Sequence, residues 1–169
     1  SWGIVFHTEN LLLLHVIALG LAPAADAWSL DARRAAPPPP SGRYGWALRL
    51  CCALTVIAYF MAGVAKLRHT GLDWVTTDFL RNYVAYDALR KKELGSLHSP
   101  LGAFLASYPA VWRPMAAVSM LTELLAPVAL LGRRAARVWV VGAIAFHAGV
   151  LALMMILFAY PLFGFAFAS

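Results

Sequence analysis

Seven polar or ionisable residues interrupt otherwise apolar stretches of this sequence: His7, Glu9, Asn10, His15, Lys66, Glu123 and His147. In a hydrocarbon medium a central Lys or Asp costs about 2.5–3.5 kcal/mol, so such side chains are expected to face a protein interior and find partners there. Lys66 has the most suggestive setting. Tyr59, Gly63 and Lys66 fall at i, i+4 and i+7 and share one helical face. The missing side chain at Gly63 lets a neighbouring helix or a ligand come close to that face. A lysine kept dry there can give up its proton and serve as a base. The plainer alternative is a lysine at the end of a span, extending its amine to lipid headgroups.

Glu123 lies one turn after Ser119 and one turn before Pro127, whose missing N–H leaves a backbone carbonyl without its usual partner. Its carboxylate can orient a basic group or relay a proton, or it can clamp two helices together. His147 sits among Phe146, Leu151 and Met154. Histidine suits proton transfer near neutral pH, although a single histidine on an apolar helix also serves as a hydrogen-bonded packing residue. His7 and Asn10 pair at i, i+3 beside Glu9, with His15 two turns on, but this spacing matches no strong metal-ligand pattern and no metal is expected. Adjacent Cys51 and Cys52 read as small apolar fillers within a span.

These residues need a scaffold, and composition says which kind. Of 169 residues, 62% are apolar and 13% charged, with a mean hydropathy of +0.70. Soluble domains carry about 25% charged residues, so a water-soluble fold is not expected. Long unbroken apolar runs select helices over barrel strands, which alternate over about ten residues. The expected fold is therefore an all-α, polytopic transmembrane helical bundle in a single domain over 1–169. Its spans are placed at about 2–25, 46–67, 115–131 and 138–160.

Between the first two spans, the proline run at 37–40 with Ser41 and Gly42 makes a stiff, solvated connection. Residues 68–109 form a longer polar segment. There Val75, Phe79, Tyr83, Tyr86 and Leu89 recur at near-helical spacing, which predicts an amphipathic interfacial helix lying on the membrane surface or capping the bundle, stopped at Gly95. The arginines of the shorter connections favour the cytoplasmic side, which puts 68–109 outside. The net charge of +6 sits in connections facing anionic headgroups rather than on a water-accessible basic face, so nucleic acid is not an expected partner. The first residue is not Met and both ends lie in apolar stretches, so a longer membrane protein is expected. His7, Glu9 and Asn10 argue against a signal peptide at the start.

The stretch Tyr59-Phe-Met-Ala-Gly-Val-Ala-Lys66-Leu67, followed by Asp73-Trp74, resembles the segment of vitamin K-dependent gamma-carboxylase that carries its catalytic lysine. Phe146-His147 through Ile156, Phe158 and Tyr160 resembles that enzyme's later histidine-bearing helix. With Glu-Leu-Leu-Ala-Pro at 123–127, the pattern over residues 8–168 is similar to the HTTM (horizontally transferred transmembrane) family, to which the carboxylase membrane domain belongs, and in particular to its bacterial members. The resemblance implies that Lys66 deprotonates a reduced isoprenoid naphthoquinone (a naphthoquinol) so that it can react with oxygen. His147 and Glu123 would be its partners, and Tyr59, Gly63 and Trp74 would form the cofactor site. The spacing from Lys66 to Trp74 is longer than in that enzyme, and the 68–109 segment is too short to supply its protein-substrate portion, so glutamate carboxylation is not expected.

The leading expectation is an integral protein of the bacterial cell membrane that binds membrane lipid, a lipid quinone in particular. The alternative is a non-catalytic subunit resembling the DoxX-like four-helix proteins, whose interior polar groups hold helices together while the polar segment docks a partner membrane protein. A solute carrier is disfavoured, because the sequence shows neither a repeat nor paired broken helices.

Overall fold

The computed structural model describes residues 7–23, 26, 29, 30, 32, 39 and 41–167, the side chains of residues 7–9 and 44 excepted. It is all-helical, with 81% helix and no strand among the described residues. Among the described residues, two helices are long and apolar enough to cross a membrane: α2, Gly45–Thr70, and α7, Arg133–Met154. In their most apolar stretches only 28% and 22% of the residues are buried. A core helix of a water-soluble protein would be mostly covered. Here Ile57 and Met61 on α2 and Val138 and Val141 on α7 are exposed, as are Leu12, Leu13, Val16 and Ile17 on α1, His7–Gly20. So wide an apolar exterior is compatible with lipid and not with water.

Among the described residues, the other two expected spans are not single helices of crossing length. α1 has 14 residues and α6, Trp112–Leu124, has 13. Pro127 explains the second case: it lacks an N–H, and its ring opposes the carbonyl four residues back, at Glu123. The chain continues as a 3-10 stretch, Ala126–Leu131, up to Gly132. α7 also stops at Met154 rather than running on to Tyr160. Met155 is left-handed (φ 51°), residues 155–158 are non-helical, and a short helix α8, Ala159–Leu162, follows.

The polar segment is broken into α3, Asp73–Thr76; α4, Phe79–Glu93; and α5, Pro100–Leu105. Gly95, at φ +64°, lies just past the end of α4, as the sequence predicts. On α4, Phe79, Tyr83, Tyr86 and Leu89 are exposed, and the buried residues are Val84 and Asp87. Asp87 is buried because Lys91 lies 2.7 Å away and Arg90 3.1 Å away.

α4 and α5 cap the end of α7. Lys91 Nζ donates to the Met154 carbonyl and Ser99 Oγ to the Ala152 carbonyl, satisfying acceptors that a helix end leaves open. A Cβ at Gly102 would lie 2.1 Å from the Leu153 carbonyl oxygen, so only glycine allows α5 this close. Val84, Trp112, Leu153 and Met154 form the apolar core of the cap. In the bundle, α2 packs on α1, α6 and the 126–131 stretch, with Val56, Tyr59, Ala126, Trp139 and Ala143 as its core.

Candidate functional site

α2, α6 and α7 bring Tyr59, Lys66, Glu123 and His147 to one cleft of about 330 Å³. Its remaining walls include Leu11 from α1, Phe146, and Phe158 and Pro161 from beyond the break in α7. The cleft is therefore apolar, with four convergent polar side chains, a composition common in small-molecule sites.

Gly63 sets the geometry without lining the cleft. A Cβ there would lie 2.9 Å from Leu124 Cδ2 and 3.0 Å from Glu123 Cβ, so its absence is what lets α6 carry Glu123 up to α2. Lys66 Nζ donates to Glu123 Oε1, an ion pair in which the lysine side chain is 21% exposed and the glutamate 5%. Lys66 Nζ also stands 5.1 Å from the centre of the Trp74 ring, a cation–π arrangement. Trp74 is held by donating from Nε1 to Ser119 Oγ at 3.0 Å, and Ser119 in turn donates to the Ala116 carbonyl at 2.9 Å. The amine is thus paired with the carboxylate named as its candidate partner from the sequence.

Tyr59 Oη and His147 Nε2 are 2.6 Å apart. A neutral tyrosine–histidine pair carries two polar hydrogens, and the bond between them uses one. The other is unspent, and His147 Nδ1 has no hydrogen-bond partner. Glu123 Oε2 is likewise buried without one. Unmet buried polar atoms cost about 1–3 kcal/mol each, so two of them on side chains lining the same cleft call for an explanation. Phe146 and Phe158 flank the imidazole, each with its ring centre 5.1 Å away.

The other candidates lie elsewhere. His15 is buried at the α1–α2 contact, where its Nδ1 meets Tyr160 Oη at 2.6 Å and its Nε2 meets the Cys51 carbonyl at 3.0 Å. Asn10 is exposed, and the side chains of His7 and Glu9 lie outside the described residues. Among the described residues, no three His, Cys, Asp or Glu side chains gather as a metal site. Sequence reasoning missed Phe158 and Pro161 as walls of the cleft, because nothing local announces a left-handed methionine at 155. It noticed Ser119 only as a neighbour of Glu123.

The family model described as the HTTM domain matches residues 7–167, nearly the whole chain. No curated protein and no solved structure matches it.

Proposed function

The chain is a membrane protein of the HTTM family, and from that premise we propose that it is a four-span bundle of a bacterial cell membrane that binds a hydroxyl-bearing lipid, a reduced isoprenoid naphthoquinone, in the α2–α6–α7 cleft. Lys66 serves as the base that takes the quinol proton so that the anion can react with oxygen. Glu123 is its ionic partner, and the Tyr59–His147 pair supplies a donor hydrogen to a ligand oxygen. Trp74 holds the amine over its ring face. The observation that carries this reading is the meeting of these side chains in one apolar cleft, with buried polar atoms left unmet on two of them. A quinol, which offers both a hydroxyl hydrogen and oxygen lone pairs, complements that set.

The test is oxygen uptake by purified protein given menadiol, the tail-less reduced naphthoquinone, together with mass spectrometry of the lipids that co-purify. Lys66→Arg keeps the positive charge and the carboxylate contact but cannot yield a proton. The expected result is a lipid quinone in the extract and menadiol-dependent uptake that Lys66→Arg abolishes with the melting temperature held. Uptake that survives Lys66→Arg removes Lys66 as the base.

One observation favours a second reading. Lys66–Glu123 ties α2 to α6, and Tyr59–His147 ties α2 to α7, as interior polar clamps in a scaffold would. A non-catalytic, DoxX-like subunit predicts that Glu123→Gln and His147→Leu lower stability and that the purified protein carries no lipid-soluble redox cofactor.

A further inference from the structure

Lys66 faces a chemical obstacle as a base: its amine is already hydrogen-bonded to a carboxylate. An ammonium group has no lone pair with which to take a proton. The bundle supplies the remedy in the same contact. Glu123 receives one N–H on Oε1, while Oε2 has no hydrogen-bond partner, so the anion is poorly supported for a group with about four lone-pair sites. Away from water, separated charges lose hydration, and a neutral amine beside a carboxylic acid becomes accessible from the ion pair.

We propose that Glu123 turns Lys66 into a base by accepting its proton along their existing hydrogen bond. The inference rests on the reading that the cleft holds a quinol. The step balances as follows. One N–H of the Lys66 ammonium breaks as an O–H forms on Glu123 Oε1, leaving an amine with a lone pair. That amine takes the hydroxyl hydrogen of the ligand, giving the ligand oxyanion, an ammonium on Lys66 and a carboxylic acid on Glu123. The residue pair passes from zero to +1 as the ligand passes from zero to −1. No uncompensated charge forms in the apolar cleft, and the ammonium lies beside the oxyanion it created.

Among the described residues, the titratable groups sharing the cleft with this pair are Tyr59 from α2 and His147 from α7, which are bonded to each other; α1 contributes Leu11. From α3, the Trp74 ring faces the amine. Glu123 is the carboxylate among the residues lining the cleft. Glutamine at 123 keeps the shape and can still accept from Lys66, yet cannot store its proton.

The experiment is the pH profile of menadiol-dependent oxygen uptake by wild type and Glu123→Gln, with binding of oxidised menadione as a check on the site. The variant is expected to lose about 100-fold or more at neutral pH. Measured above the enzyme-free rate, its uptake should then rise with pH, as bulk base comes to do what Glu123 no longer can. A merely structural glutamate gives no such alkaline rescue. A variant that binds menadione but stays inactive at every pH, or one that keeps the wild-type rate at neutral pH, overturns the proposal. Wild type that neither consumes oxygen with menadiol nor binds menadione overturns the quinol reading itself, and the inference falls with it. Infrared difference spectra of wild-type protein with ¹³C-glutamate, with and without menadiol, provide a measurement that needs no variant. A labelled carboxylic-acid band on binding is expected, and its absence also overturns the proposal.

Discussion

Two buried histidines sit in this bundle, each 2.6 Å from a tyrosine hydroxyl, and their surroundings differ in one respect. Around His15 every polar atom is used. Nδ1 meets Tyr160, Nε2 meets the Cys51 carbonyl, and Thr55 Oγ1 lies 3.2 Å from Nε2 and 3.0 Å from both the Cys51 and Ala166 carbonyls. Around His147, Nδ1 is unmet, as is Oε2 of Glu123, and an open cleft lies alongside. The first network binds α1, α2 and the 165–167 turn into one unit. The second is left incomplete by the described residues. Counting hydrogen-bond capacity thus separates two histidines that composition and hydropathy treat alike.

The largest expected effect falls on the charged pair. Lys66→Met leaves Glu123 buried without a counter-charge and should cost about 3–5 kcal/mol in detergent unfolding, most of it recovered when Glu123→Met is added. If the single change costs no more than the double, the pair is not held away from water. Next comes the cap on the end of α7, a few residues before Phe158 in the cleft wall. Gly102→Ala drives a methyl into the Leu153 carbonyl, so a loss of about 1–3 kcal/mol is expected in a thermal melt, together with weakened menadione binding as Phe158 shifts. Unchanged binding in a destabilised variant would detach the cap from the cleft.

The histidines themselves provide the sharpest contrast. His15→Leu strands the Tyr160 hydroxyl and should cost about 1–3 kcal/mol while leaving co-purifying lipid unchanged. His147→Leu also strands a tyrosine hydroxyl but removes an unmet nitrogen, so its stability loss should be the smaller, about 1 kcal/mol, while the lipid is lost. Equal melting shifts with lipid retained in both would return His147 to the role of a helix clamp. The smallest effect is expected at Gly149 on α7, where an added Cβ meets nothing within 4 Å; Gly149→Ala should be neutral or stabilising by up to about 1 kcal/mol in the same melt.

Much of the site was legible in the sequence because its ingredients were local. Tyr59, Gly63 and Lys66 belong to one helix, and their shared face follows from 3.6 residues per turn. Glu123 and His147 stood out because ionisable groups are rare in apolar runs. That Glu123 would lie against Lys66, 57 residues away, had no local signal; it depends on how closely α6 approaches Gly63. Apolar spacing marks α4 as amphipathic but does not say which neighbours its faces meet: the aromatic residues point outward while Asp87 is buried beside Lys91 and Arg90.

The sequence by itself determined an all-helical membrane protein, since so many apolar residues in long runs can satisfy their backbone only as helices in lipid. It also determined which side chains would be costly there. Only the tertiary structure decided which of them pair, that α7 breaks at Met155, and that a cleft remains between α2, α6 and α7. Those outcomes depend on contacts between residues far apart in the chain, and no window of sequence contains them.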